Sequence, residues 1–277
     1  QLDKGIHAGV VPGLFGGWVS MLQRFGTLSL GQVMAPAILY ARDGHPIEAS
    51  VVRSIAGSRE LFASFPDSAA QFLPDGRVPE TGELFTMPAL ANTFQKLVDA
   101  ESEALAGGGS RHDALQAAFD RFYKGDIAAE MAEFYEQKGG LFRREDFARY
   151  QPTWESPLHI TYRGYDIYSS APTSRGGLEV LMQLKLVEGF DLSELGPGDP
   201  LLSHILIEAI KLAKADIYHY VADPDRTDMP ITGMLSAAYA EKRRQLIDTA
   251  VSMAYPEAGL PPGYENDTAY RKHLHTT

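Results

Sequence analysis

Thr173-Ser174-Arg175-Gly176-Gly177 gathers two hydroxyls, a guanidinium and two glycines between an alternating apolar segment and an amphipathic one. Backbone amides at such a strand-to-helix crossover can cradle an anion. The spacing matches neither a Walker loop nor a dinucleotide fingerprint. The plainer reading is a tight crossover, with glycine for the turn and Thr173 or Ser174 as a cap. His204 and Glu208 stand four apart, and Asp216 and His219 three apart, on one stretch of helical periodicity. Such pairs project to one face and suit zinc. Nothing like His-Glu-x-x-His is present, so these residues are expected on a solvated flank and no metal is assigned. There is no Gly-x-Ser-x-Gly elbow to present a serine nucleophile. The chain has no cysteine, which excludes disulfides, thiolate metal sites and a thiol nucleophile. Glu241-Lys242-Arg243-Arg244 reads as a solvated helix face.

The elements that must position these residues are mostly helical. Leu14, Trp18, Met21, Leu22 and Phe25 follow helical spacing after the turn Val11-Pro12-Gly13, and Gly26 closes that helix. Ser29 is an N-cap for a second helix ending near Tyr40, before Asp43-Gly44. A third helix is expected over 47–65, and a turn-rich surface loop over 73–82. Helices follow over 88–105 and 113–138, the latter broken near Gly125. Between them, Gly107-Gly108-Gly109-Ser110 reads as a flexible insertion. The one β signal is a hairpin: Leu158, Ile160 and Tyr162 alternate with His159 and Thr161, Arg163-Gly164 turns, and Tyr165 to Ser170 returns. Further helices are expected over 178–188, 200–221 and 236–249, with an irregular tail beyond Pro256. The pattern is thus mostly helical over 1–150, a hairpin with helices over 151–250, and a tail over 251–277.

At 277 residues, 44% hydrophobic and 22% charged, the composition is that of a globular protein with enough chain for a sizeable core. No apolar run approaches the roughly 18 residues of a membrane-spanning helix. Lys and Arg number 25 against 36 Asp and Glu, a net charge of −11. A nucleic-acid-binding chain needs a basic stripe to displace counterions, and none is visible. Gln1 at the start and His275-Thr276-Thr277 at the end suggest a piece cut from a longer chain.

Several stretches, in one order, resemble the γ-glutamyltransferase family. They begin with Val10-Val11-Pro12-Gly13-Leu14-Phe15-Gly16-Gly17-Trp18, Phe25-Gly26-Thr27-Leu28, Ala35-Pro36-Ala37-Ile38 and Asp43-Gly44-His45-Pro46-Ile47. Phe122-Tyr123-Lys124-Gly125-Asp126-Ile127-Ala128, Gly139-Gly140-Leu141-Phe142 and Asp146-Phe147-Ala148-Arg149-Tyr150 follow. Tyr162-Arg163-Gly164-Tyr165, Ala171-Pro172-Thr173-Ser174-Arg175-Gly176-Gly177, Glu208-Ala209-Ile210-Lys211-Leu212-Ala213 and Asp223-Pro224-Asp225 complete the series. Each piece alone is weak, whereas eleven in one order are specific.

The resemblance implies an N-terminal nucleophile (Ntn) amidohydrolase. Its fold class would be α+β and helix-rich, part of an αββα sandwich whose other parts lie outside this chain. Such a protein is made as one precursor and cuts itself before a threonine into a large and a small subunit. This chain would be the later part of the large subunit, and its partner the small subunit from the same precursor. His275-Thr276-Thr277 matches the opening of the family's cleavage site, so Thr276 is the implied nucleophile. Thr277, the residue after it, and Thr268 are the alternatives. Thr173, Ser174, Arg175, Gly176 and Gly177 are the implied substrate-binding residues, with no cofactor and no metal. A periplasmic or extracellular setting follows from the family alone. Arg175 replaces a usual serine and Ile217 a common arginine, which points beyond strict glutathione specificity to cephalosporin acylases and small-amide hydrolases. A reading of another class is a non-catalytic helical scaffold that binds a partner chain.

Overall fold

Ser29 shows how local sequence chemistry sets the elements. Its hydroxyl accepts the Gln32 N–H at 3.1 Å and the Gln32 amide returns to the Ser29 N–H at 3.0 Å, a closed capping box. The computed structural model describes residues 4–172 and 174–264. Among these, the chain divides into two units, Gln1–Thr153 and Trp154–Thr277.

In the first unit α1 (Leu14–Phe25), α2 (Leu30–Asp43), β1 (His45–Pro46), α3 (Ala49–Gly57), α4 (Arg59–Ala63) and α5 (Pro66–Phe72) come first. They are followed by β2 (Leu84–Phe85), α6 (Pro88–Ala106), α7 (Arg111–Tyr123), α8 (Asp126–Gln137) and α9 (Arg144–Ala148). Phe15 and Val19 of α1 pack with Leu97, Leu115, Phe119 and Tyr123. The glycines of the first recognisable motif admit tyrosines. The Tyr123 hydroxyl accepts the Gly16 N–H at 3.0 Å and donates to Pro12 O at 2.6 Å. Tyr150 donates to Gly13 O at 2.8 Å. A Cβ at Gly16 would lie 2.7 Å from the Tyr150 ring, so this motif is built for packing. Burial pushes the Tyr123 phenol up to about 12. From α6, buried Glu101 accepts the Leu30 and Gly31 N–H groups at 2.6 and 2.9 Å, an anion seated on the N-terminus of α2.

Three expectations fail in this unit. The single helix over 47–65 is broken at Ser58, whose backbone is non-helical, and Pro66 starts a new helix where it needs no N–H partner. The stretch over 73–82 is not all surface loop, because Leu73 is buried against Ile47 and Ile55. Gly107-Gly108-Gly109-Ser110 is a tight joint, not a flexible insertion. There the Gly109 N–H reaches Ala104 O at 3.0 Å, Gly108 takes φ +85°, and Ser110 forms a capping box with Asp113.

The second unit holds β3 (Leu158–Tyr162), β4 (Tyr165–Ser169), α10 (Arg175–Val187), α11 (Pro200–Tyr220), α12 (Ile231–Met234) and α13 (Ala237–Arg244). β3 and β4 form the expected antiparallel hairpin, Leu158 opposite Ser169 and Tyr162 opposite Tyr165. Arg163 and Gly164 both have positive φ, 47° and 85°, the geometry of a two-residue turn that follows strand twist. Leu178, Met182, Leu212, Ile217 and Met234 form the core. The helix expected to reach residue 249 stops at Arg244, and Ile247 turns into that core.

The architecture is helix-rich with few strands. Among the described residues these form two separate two-stranded sheets, β1 with β2 and β3 with β4. No described helix is long and apolar enough to cross a membrane.

Candidate functional site

The motif that begins at Thr173 is placed by the hairpin and α10. β4 ends at Ser169, and the helix begins at Arg175. Arg175, Gly176 and Gly177 are therefore its first turn and not part of the loop, as the sequence suggested. Ser174 occupies the N-cap position, but its side chain makes no capping hydrogen bond. The two glycines differ. A Cβ at Gly177 would meet Ser170 Oγ at 2.4 Å and Ser170 O at 2.6 Å, so this glycine lets helix and strand end touch. A Cβ at Gly176 would meet nothing within 4 Å.

Ser174, Arg175 and Gly176 are exposed. The Arg175 guanidinium lies over the Tyr218 ring, 5.6 Å from its centroid. With Val221, Ala222, Asp223 and Pro224 it lines an open cavity of about 410 Å³. A guanidinium at a helix N-terminus can hold a carboxylate through charge and paired N–H donors. Asp223, on the same cavity wall, pairs with Arg226 at 3.4 Å. The structure thus brings together Ser174, Arg175, Gly176 and Gly177. Thr173, Thr268, Thr276 and Thr277 lie outside the described residues.

α11 carries a polar system that the spacing argument misread. Glu208 and Asp216 are 0% and 1% exposed, not on a solvated flank. Glu208 accepts from Lys211 Nζ at 2.7 Å, Ser252 Oγ at 2.9 Å and the Met253 N–H at 3.0 Å. Asp216 accepts from Arg243 Nη2 at 2.9 Å, the Tyr239 hydroxyl at 2.9 Å and the Gly259 N–H at 2.7 Å. Arg243, expected on a solvated helix face, is buried for this reason. Arg244 likewise turns inward to Leu186 O and Lys185 O, both at 2.8 Å. Two carboxylates on one helix thereby fasten residues 252–259, the first part of the tail expected over 251–277.

Burial pushes the Asp216 carboxyl up, and Arg243, the Gly259 N–H and Tyr239 pull against it. Burial, with the adjacent Asp216, also raises the Tyr239 phenol. For Glu208 burial acts upward too, but Lys211, the Met253 N–H and Ser252 outweigh it and hold the carboxyl low. His204 bonds to Asp248 O at 2.7 Å. Among the described residues no group of three or more His, Asp or Glu side chains is placed to hold a metal ion.

The gamma-glutamyltranspeptidase family profile matches residues 1–277. The chain is 30% identical over 268 residues to the glutathione hydrolase-like YwrD proenzyme of Bacillus subtilis (strain 168), covering 96% of this chain and 47% of that protein. It is 32% identical over 266 residues to the acylase ACY 1 proenzyme of Pseudomonas sp. (strain SE83), covering 96% of this chain and 44% of that protein. The crystal structure of Helicobacter pylori gamma-glutamyltranspeptidase superposes with a TM-score of 0.83 at 29% identity, covering 96% of this chain and 71% of that one. The chain spans less than half the length of the two relatives named first.

Proposed function

The chain belongs to the gamma-glutamyltranspeptidase family, and from that premise we propose that it is the later large-subunit region of a self-processing amidohydrolase acting on γ-glutamyl amides such as glutathione. The observation that carries this is the match along the whole chain together with its share, under half, of relatives named proenzymes. An αββα sandwich would be completed by the rest of the precursor, and the small subunit would be the partner. We extend the proposal to a periplasmic or extracellular setting, on the family resemblance alone.

Processing follows from threonine chemistry. Thr276 Oγ attacks the carbonyl carbon of His275; the His275–Thr276 C–N bond breaks, leaving an ester on Oγ and a free α-amine on Thr276. Water then hydrolyses the ester, releasing the His275 carboxylate and the hydroxyl. A threonine hydroxyl is a weak nucleophile, and the new α-amine, with a pKa of about 7.7–8.0, serves as its base. In turnover the amine takes the hydroxyl proton while Oγ adds to the substrate carbonyl. The leaving amine departs with that proton, and water or an acceptor amine resolves the acyl-enzyme. Thr173, Ser174, Arg175, Gly176 and Gly177 are proposed on the substrate side, where Arg175 would hold a carboxylate.

A second reading, acylase activity on another amide, is favoured by Arg175 and by the similarity to acylase ACY 1. Comparing Arg175→Ser with the parent full-length enzyme separates the two. A shift of acyl-donor preference toward γ-glutamyl compounds supports a role for Arg175 in donor choice, and an unchanged profile removes it. The reading as a whole is tested by expressing the full precursor and sequencing the N-terminus of the smaller piece. Thr276 is expected there, with Thr276→Ala uncut and Thr276→Ser cut slowly. Normal cleavage and full activity in Thr276→Ala would place the nucleophile elsewhere, and an uncut wild-type precursor would overturn the function.

A further inference from the structure

Gly9 and Gly140 both press on Tyr135. A Cβ at Gly9 would lie 2.2 Å from the Tyr135 hydroxyl oxygen, and one at Gly140 would lie 2.5 Å from its ring and 2.7 Å from Ile6 Cγ1. The same ring meets Phe142 edge-on, 5.0 Å between centroids. Gly5, at φ +72°, brings the backbone against Phe65, whose ring lies 3.3 Å from where a Cβ would stand. These close approaches fix the wall of a cavity of about 520 Å³ in the first unit, formed by residues 4–9, α4, α5 and the end of α8. Its lining is mostly aromatic: Phe62, Phe65, Phe134 and Tyr135, with Ile6 and Leu61. Leu61, Phe65 and Phe134 stay 38%, 37% and 40% exposed, so the unit itself leaves this apolar surface unfilled. A preformed apolar cavity of about 300–1,000 Å³ with few polar groups is the usual form of a small-molecule site.

The charged residues of the lining, Lys4, Lys138 and Asp67, select the sign of the ligand. Lys138 Nζ is paired with Asp67 at 3.2 Å and lies 5.5 Å from the centroid of the Phe134 ring. The Lys4 ammonium has no carboxylate or hydrogen-bond partner among the described residues. One positive charge is therefore left uncompensated beside the aromatic rings. It repels the cationic guest that such rings otherwise suit, and it favours a carboxylate. We propose that this cavity binds a small arylalkyl carboxylate, with its ring among Phe62, Phe65 and Phe134 and its carboxylate on Lys4. The proposed function makes no use of this site, which shares no residue with 173–177 or with Thr276.

Isothermal titration of the full-length protein tests this at about pH 7, where Lys4 and the probe are both charged. The probes are 4-phenylbutyrate and its neutral analogue 4-phenylbutyramide. The acid should bind saturably with a Kd below about 1 mM, and about tenfold tighter than the amide. Lys4→Gln should remove that preference and leave the affinity for the amide unchanged. Ala8 is exposed and lines the cavity, so Ala8→Trp should fill it and weaken both probes at least about tenfold. Lys4→Gln, on an exposed side chain, keeps the test decisive if Ala8→Trp does not fold. Absence of saturable binding, or equal binding of acid and amide, would overturn the proposal. So would a preference for the acid that survives Lys4→Gln, since the carboxylate would then sit on another cation. Excess L-glutamate, the product of γ-glutamyl hydrolysis, should leave the titration unchanged, and displacement would put the acid in the substrate site and overturn the proposal. The heat of binding is read without turnover. An inactive protein that binds the acid through Lys4 therefore sinks the function and keeps this site, whereas an active enzyme that ignores the acid does the reverse.

Discussion

Glu208 keeps its charge inside the second unit because Lys211, Ser252 and the Met253 N–H each give it a hydrogen bond. Its folded pKa lies below the ordinary 4.5, so its contribution to stability is fully present above the unfolded value and is lost as pH falls through the folded one. The melting temperature of Glu208→Gln should therefore trail that of the parent most at neutral pH, with the gap closing below about pH 4.5. A gap that stays constant with pH would show that Glu208 titrates alike folded and unfolded. Asp216 is a different case, because its partner Arg243 is itself 6% exposed. Asp216→Asn leaves that guanidinium buried without a counter-charge, which should cost about 3–5 kcal/mol in urea unfolding of the full-length protein. A loss under 1 kcal/mol would mean that Arg243 escapes to water. Both carboxylates are visible in the sequence, but their partners are not. Helical spacing paired Glu208 with His204 and Asp216 with His219, whereas Met253 and Gly259 are 45 and 43 residues downstream. Periodicity along a helix reports which residues share a face, not what that face meets.

At the scale of elements, the glycine pair at the start of α10 makes the sharpest contrast. Gly177→Ala puts a methyl 2.4 Å from Ser170 Oγ and 2.6 Å from the Ser170 carbonyl oxygen, so helix and strand end must separate. Overpacking of this kind should cost about 1–3 kcal/mol and displace Arg175 with the helix start. Gly176→Ala meets nothing within 4 Å, and it should stabilise by about 0.4–1 kcal/mol by restricting the unfolded chain. Thermal unfolding of the two variants decides, and equal effects would refute the close-approach account. Elements with local chemistry were legible in advance. α1 has its helical spacing, α2 its Ser29 cap, and the β3–β4 hairpin its alternation and Arg163-Gly164 turn. The β1–β2 pair was not, because two residues per strand are too few for alternation to show, and its pairing joins His45 to Phe85 across forty residues. The glycine run before Ser110 misled for the opposite reason. A glycine run looks like a linker by composition, yet one positive φ and the returning Gly109 N–H make it a joint.

At the scale of the whole molecule, neither unit contains a sheet of more than two strands among the described residues, and the proposed nucleophile, Thr276, belongs to the tail outside them. What the sequence offered here was resemblance, since the ordered motifs named the family while several of them proved to be packing devices. Gly13 and Gly16 receive Tyr150 and Tyr123, and Glu208 and Asp216 hold the segment over 252–259. The site in the proposed function draws on groups beyond these residues. In the isolated 277-residue chain Thr276 is internal, so its nitrogen is a peptide amide and not an amine. An amide does not accept the hydroxyl proton, and loss of general-base assistance alone lowers a rate by about 10²–10⁴-fold. Under the proposed function the site is completed only by the rest of the precursor, so transition-state charge would also go unstabilised. The isolated chain should therefore hydrolyse γ-glutamyl-p-nitroanilide no faster than a heat-killed sample, while the processed full-length protein does so readily. Turnover by the isolated chain, abolished by Thr276→Ala, would mean that the tail completes a site unaided, and that the division of labour across the cut is wrong.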